Sequence, residues 1–128
     1  MSISINGTTG ISGVDGSASA PAVQGTDSNT GVSFGTDTVN INTGGVTRAI
    51  IDSSGNLTPA ANNTYDLGSS STRWRNVYTN DLHLSNEGSS NDVDGTWGSY
   101  TIQEGAEDLF LVNKRNGKKY KFNLTEVS

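Results

Sequence analysis

Short runs in which apolar and polar residues alternate recur along this chain, separated by glycine-rich turns. Ser2-Ile3-Ser4-Ile5-Asn6 and Thr38-Val39-Asn40-Ile41-Asn42 both carry the period of two that marks a half-buried strand. Thr43-Gly44-Gly45 then leads into a further run over residues 46–52, and the Gly-Gly pair supplies the positive φ angles of a tight hairpin. Ser53-Ser54-Gly55 closes this unit. Near the other end, residues 108–115 and 118–125 alternate on either side of Asn116-Gly117. A two-residue type I′ turn there sets Arg115 opposite Lys118, Asn113 opposite Tyr120, Leu111 opposite Phe122 and Leu109 opposite Leu124. That face reads as buried, and the face carrying Lys114, Lys119 and Lys121 as wet. Residues 97–103 read as one more strand, which predicts a three-stranded antiparallel meander. Between the two regions, Ser70 or Ser71 is placed to cap a short helical turn carrying Trp74, with a strand suggested by Tyr78, Leu82 and Leu84 after it.

Aromatic and basic residues divide the chain. Up to Thr64 the sole aromatic is Phe34 and the sole basic residue Arg48; the other eight aromatics and seven basic residues follow from Tyr65 onward. Pro59-Ala60-Ala61-Asn62-Asn63-Thr64 marks the break. The expected organisation is a shaft over residues 1–63, a neck over 64–86 and a head over 87–128.

Composition changes the picture of how such strands could hold together. Gly, Ser, Thr and Asn make up 62 of the 128 residues, whereas Leu, Ile, Val and Phe together make up 26. So low an apolar share borders on disorder, yet a net charge of −5 is modest. The polarity comes from uncharged side chains that suit turns and strands, and strands this sparsely apolar bury too little within one chain. The reading is a mainly β chain whose core is completed by other chains. With no cysteine there is no disulfide scaffold, no thiol nucleophile and no cysteine-based zinc site. No apolar run approaches the roughly 18 residues of a membrane span, so membrane insertion is not expected. The first residues show neither a basic nor an apolar leader region. A pI near 4.5 argues against nucleic acid as the partner.

The segment Asn63-Thr-Tyr-Asp-Leu-Gly-Ser-Ser-Ser-Thr-Arg-Trp-Arg-Asn-Val-Tyr-Thr79 closely resembles one found in many bacteriophage tail fibres, where it sits on a trimeric stalk. Residues 38–45 and 51–57 are similar to the β-repeats of such fibres. Residues 95–104, through Lys118-Lys-Tyr-Lys-Phe122, resemble fibre C-termini of marine, cyanophage-like viruses. In many such fibres the Arg-Trp segment leads into a self-cleaving chaperone domain. Here Leu82-His83-Leu84-Ser85-Asn86 leads into the compact head instead, so registration would fall to the neck or the head. The resemblance implies an elongated homotrimeric β-fibre with a small neck helix and a C-terminal β-meander head, carried on a virion. It would sit among other virion proteins and attach them to a bacterial surface glycan or lipopolysaccharide. Leu67, Trp74, Val77, Tyr78, Leu82 and Leu84 are then the expected trimer and neck packing residues.

Chemistry adds little to this. His83, the single histidine, lies between two leucines; three copies on an axis could hold a metal, but an ordinary polar position is the simpler reading. Asp92-Val93-Asp94-Gly95 hints at a calcium loop. Aligning Gly95 with the glycine of such a loop leaves both terminal carboxylates missing, and a turn is favoured. Paired carboxylates could serve glycoside hydrolysis, but the phage depolymerases that the resemblance brings into view usually carry that site on a long solenoid, for which the chain has no room. No cofactor and no catalytic residue is expected. Lys114, Arg115, Lys118, Lys119 and Lys121 crowd eight positions and suit anionic sugars or phosphates, or else pair with Glu104, Glu107 and Asp108. Trp97, Tyr100 and Tyr120 suit sugar stacking or core packing, and core packing is favoured in a small β-head. The expected receptor-binding set is Trp97, Tyr100, Lys114, Arg115, Lys118 and Lys119. The competing expectation is a decoration or head-fibre protein of the virion that binds no receptor.

Overall fold

A computed structural model describes residues 4–7 and 10–127; Ser2 and Ile3 of the first expected strand lie outside them. The described chain is all β, every ladder antiparallel, and divides into two units, residues 1–73 and 74–128.

The first unit opens with two small hairpins, β1 (Ser4–Asn6) with β2 (Gly10–Ser12) and β3 (Gly16–Ser17) with β4 (Ala20–Pro21). A five-stranded meander follows: β5 (Val23–Gln24), β6 (Gly31–Gly35), β7 (Thr38–Thr43), β8 (Val46–Ile51) and β9 (Leu57–Pro59), neighbours in sequence being neighbours in the sheet. The Gly-Gly hairpin forms as the sequence predicts. Thr43 pairs with Val46, and Gly44 and Gly45 take φ of 59° and 75°, the two left-handed residues that a twist-matched turn requires. A bulge at Ile41/Asn42 makes Arg48 the extra residue of β8. The β8–β9 turn is held by Asp52, whose carboxylate accepts from the Ser54 and Asn56 amides and from the Asn56 side chain. The Asn56 amide group is the main reason its pKa lies below the ordinary aspartate value.

Register sorts this sheet into two faces of opposite character. Val23, Val32, Ile41, Ala49 and Pro59 form one row across the five strands, and Phe34, Val39, Ile51 and Leu57 a second row two residues along. Side chains two apart share a face, so both rows lie on one side and all nine are apolar. The opposite face carries Ser33, Asn40, Asn42 and Thr58 with one apolar residue, the half-buried Ile50, among them, and the buried Ser33 and Asn42 are there. Asn42, 1% exposed, donates to Ser33 Oγ at 2.9 Å and accepts from Thr47 Oγ1 at 2.8 Å. The β3–β4 hairpin packs against β6, and Phe34 N donates to the Asp15 carbonyl at 2.7 Å. Among the described residues no apolar side chain apart from Pro21 is buried. The inside of the unit is a hydrogen-bonded polar layer, and its apolar face is open.

The expected neck helix is absent. Ser69 Oγ accepts from Thr72 N at 2.9 Å and Ser69 N donates to Thr72 O at 2.8 Å, which closes one isolated turn. No helix continues from it. The residues that follow include Trp74, Val77 and Tyr78, aromatic or β-branched and weak helix formers. Each is exposed (Trp74 64%, Tyr78 92%), so no packing stabilises a nucleus that is costly in water.

The second unit is a four-stranded meander, not the three-stranded one expected: β10 (Leu82–Ser85), β11 (Ser99–Glu104), β12 (Leu109–Asn113) and β13 (Lys119–Lys121). Leu82–Ser85, assigned from sequence to the neck, is thus an edge strand of the C-terminal sheet. The last hairpin is shifted by two residues from the expected register. Leu111 pairs with Tyr120 and Val112 with Lys119, while Asn113 N donates to Lys118 O, so the loop holds four residues, 114–117. Gly117 alone in that loop takes a positive φ, 74°, whereas a type I′ turn would require Asn116 to do so as well. The Asn side chains select this loop: Asn113 Oδ1 accepts from Arg115 N and Asn116 Oδ1 from Lys118 N, both at 2.9 Å. A slip of two leaves the faces unchanged, so Leu109 and Leu111 keep the expected side. That side is not buried within the chain: Leu82, Leu84 and Tyr120 on it are exposed, and Ile102 and Leu111 are half-buried.

Candidate functional site

The meander brings two connections to one end of the C-terminal sheet, the long loop 86–98 between β10 and β11 and the turn 114–118 between β12 and β13. Five of the six residues expected to bind a receptor gather here. Arg115 places its guanidinium 3.9 Å from the centre of the Trp97 ring and donates from Nη1 to the Trp97 carbonyl at 2.6 Å. One contact stacks and the other fixes the plane, as a rigid guanidinium allows. Tyr100 is joined to the turn through Asn113, whose Nδ2 donates to the Tyr100 hydroxyl at 3.0 Å. Lys114 N donates to Ser99 O at 2.8 Å, tying the turn to the start of β11. Lys114 and Lys118 are exposed at this end. Lys119 is placed differently, on β13 in the row His83–Thr101–Val112–Lys119, on the sheet face opposite Tyr100.

The ion pairs weighed from sequence reduce to one. Lys121 Nζ meets Asp108 Oδ1 at 2.8 Å, the only salt bridge among the described residues, and it is solvent-exposed. The cationic turn therefore stands without a carboxylate partner in the described chain.

The same end of the sheet holds an open groove of about 390 Å³, lined by Leu84, Ser85, Asn86, Asn91, Gly98 and Tyr100. Gly98 lies against the half-buried Tyr100 ring, where a Cβ would stand 3.1 Å from ring atom Cε2 and crowd it. Asn86 Oδ1 accepts from Gly98 N at 2.6 Å and holds the loop's return to the sheet. Asn86, Asn91 and Asn113 were not singled out from sequence. Their signal was present, because asparagine followed by turn residues often bonds the backbone two or three residues on, but only the folded sheet shows that Asn86 and Asn91 line the groove and that Asn113 bonds Tyr100.

Residues 91–96 form the turn that the sequence favoured over a calcium loop. Asn91 Oδ1 accepts from Val93 N and Asp94 N, and its Nδ2 donates to Asp94 Oδ1 and to Thr96 O, both at 2.7 Å. Asp94 Oδ1 also accepts from Thr96 N and Thr96 Oγ1. These donors, the Thr96 amide foremost, hold the Asp94 pKa below its ordinary 3.8. A depressed carboxylate stabilises the fold above that ordinary value, and the contribution is lost as pH falls through the lower, folded value. We expect an NMR titration of Asp94 with a midpoint below 3.8, and a rise towards 3.8 in Asn91→Ala. A wild-type midpoint at or above 3.8 would contradict this geometry.

His83 Nδ1 and the buried Thr101 Oγ1 share a hydrogen bond of 3.0 Å. No cluster of three or more His, Asp or Glu suited to a metal ion occurs among the described residues. Of the residues expected at the neck, Leu67, Trp74, Val77 and Tyr78 are all exposed. Leu67 lines a second groove of about 290 Å³ in the first unit, with Leu57, Pro59 and the stacked pair Arg48–Tyr65.

No family model, no curated protein and no solved structure matches this chain.

Proposed function

We propose that this chain is an adhesive, non-catalytic component of a bacteriophage tail fibre that works as a homotrimer and attaches the virion to a bacterial surface glycan or lipopolysaccharide. The observation that carries the adhesive part is the end of the C-terminal sheet, where the half-buried Tyr100 ring lines an open groove and the exposed cations Lys114 and Lys118 stand at the same end. An aromatic face offers a platform for the apolar side of a sugar ring, and free ammonium groups suit the phosphates and acidic sugars of lipopolysaccharide. The Arg115–Trp97 stack contributes rigidity to that end, which lowers the entropic cost of binding. Assembly is supported by the open apolar sheet faces, and fibre identity by the Leu67–Tyr78 motif.

The test is binding of the full chain to a panel of bacterial lipopolysaccharides at several salt concentrations. Wild type is expected to bind at least one, and Lys114→Gln/Lys118→Gln to bind it at least about tenfold more weakly with a shallower salt dependence. Binding unchanged by the double substitution would remove the site assigned here. Attachment to purified capsids with no glycan binding would favour the head-fibre reading, and release of sugar would overturn the non-catalytic one.

A further inference from the structure

We propose that the apolar face of the five-stranded sheet is the surface on which another copy of this chain sits, so that the principal hydrophobic core is made between chains. This rests on the assembly reading above and gives it a location, in the sheet of residues 23–59 rather than in the Trp74 neck.

Three observations carry it. First, the face is apolar across all five strands, and the side chains of Phe34, Ile41 (43% exposed) and Leu57 remain open to solvent while the polar face holds the buried groups. A meander that buries Asn42 and exposes Ile41 has its cover elsewhere. Second, the chain exposes 10375 Å². Two separate globular domains sharing this mass would expose only about 7,800 Å². The excess of about 2,600 Å², to which the largely exposed segment 60–80 also contributes, is ample for the roughly 800 Å² that each partner gives to a standard interface. Third, charge selects the occupant. The chain carries −5, so copies repel in general, yet neither row of this face contains an ionisable side chain. Two charged residues border it beside Ala49, Leu57 and Pro59, Arg48 and Asp66; they are of opposite sign, and Arg48 is engaged by Thr43 Oγ1 and by Tyr65. An apolar sheet face free of charge within its rows suits contact with identical faces, and three such sheets can close around one axis with their apolar sides inward.

The absence of cysteine makes the test clean. Solution mass is measured by light scattering for the wild-type chain, then thiol labelling rates are compared in Ile41→Cys and Gln24→Cys, which place the probe on opposite faces of one sheet. The expected result is a mass at a multiple of 13.4 kDa, with the Ile41→Cys thiol reacting at least about tenfold more slowly than the Gln24→Cys thiol. Ile51→Cys, on the same face, replaces Ile41→Cys if that variant does not keep the native mass. Equal labelling rates in a chain of multiple mass would overturn the location and leave the assembly reading standing. A folded chain of single mass would overturn both.

Discussion

Replacing Asn42 by alanine is expected to destabilise the first unit by about 2–3 kcal/mol, although Asn42 is a polar residue with no part in any binding surface. The side chain is 1% exposed and serves two hydroxyls at once, donating to Ser33 Oγ and accepting from Thr47 Oγ1. Alanine leaves the Ser33 hydroxyl, itself buried, without the Asn42 donor, and it leaves the Thr47 hydroxyl without its acceptor. The full cost of an unmet buried group then applies, rather than the smaller net value of a hydrogen bond. For a unit of this size the loss corresponds to a fall in melting temperature of roughly 10–20 °C. The comparison is made at fixed protomer concentration, because association would itself raise stability. The triple variant Ser33→Ala/Asn42→Val/Thr47→Val removes all three polar groups together and is expected to recover a large part of the loss. If Asn42→Ala stays within about 0.5 kcal/mol of wild type in urea unfolding, the polar layer is not what holds this sheet.

Gly31→Ala is the second large effect, and its cause is space. A Cβ at Gly31 would overlap the carbonyl oxygen of Val23 and stand 3.0 Å from Gln24 Cα. Both are backbone of β5, the two-residue strand that pairs with Gly31 and Val32. No side-chain rotation relieves such a contact, so β5 must move away from the sheet edge. The expected cost is about 1–3 kcal/mol, with faster hydrogen exchange concentrated at residues 23–24 and 31–32. Gly25→Ala is the control one residue beyond β5, since nothing lies within 4 Å of its Cβ. Equal stability of the two variants would mean that β5 is not held against β6 as described.

Much of the fold was legible in the alternation of residues. The β7–β8 hairpin could be read directly, because Gly44-Gly45 satisfies a backbone requirement that few other pairs meet and two residues leave one register. The last hairpin followed the same logic and missed by two residues. Asn116-Gly117 is a strong turn signal, but Asn113 competes by capping Arg115 N and bonding Tyr100, a residue on a different strand. That contact exists only in the folded sheet. The neck helix failed for the opposite reason: Ser69, and not Ser70 or Ser71, closes a single turn, and no neighbouring surface packs against Trp74 to stabilise more. In the candidate site, the aromatic and basic residues were visible as types. Their grouping was not: alternation already set Lys118 and Lys119 on opposite faces, but Trp97 and Tyr100 meet the turn only through Arg115 and Asn113 in the folded sheet.

By itself the sequence determined that this is a β chain with too few apolar residues to bury a core, because composition bounds the surface that can leave water whatever the topology. It also determined which residues alternate, and hence that each strand has an apolar and a polar side. Only the tertiary structure decided which side is covered. Register aligned the apolar sides of five strands into one open face and closed the polar sides around Asn42. Hydrogen bonds demand partners at fixed distance and angle, whereas apolar contact needs only area. The single chain has therefore satisfied its polar groups internally and left its apolar surface exposed.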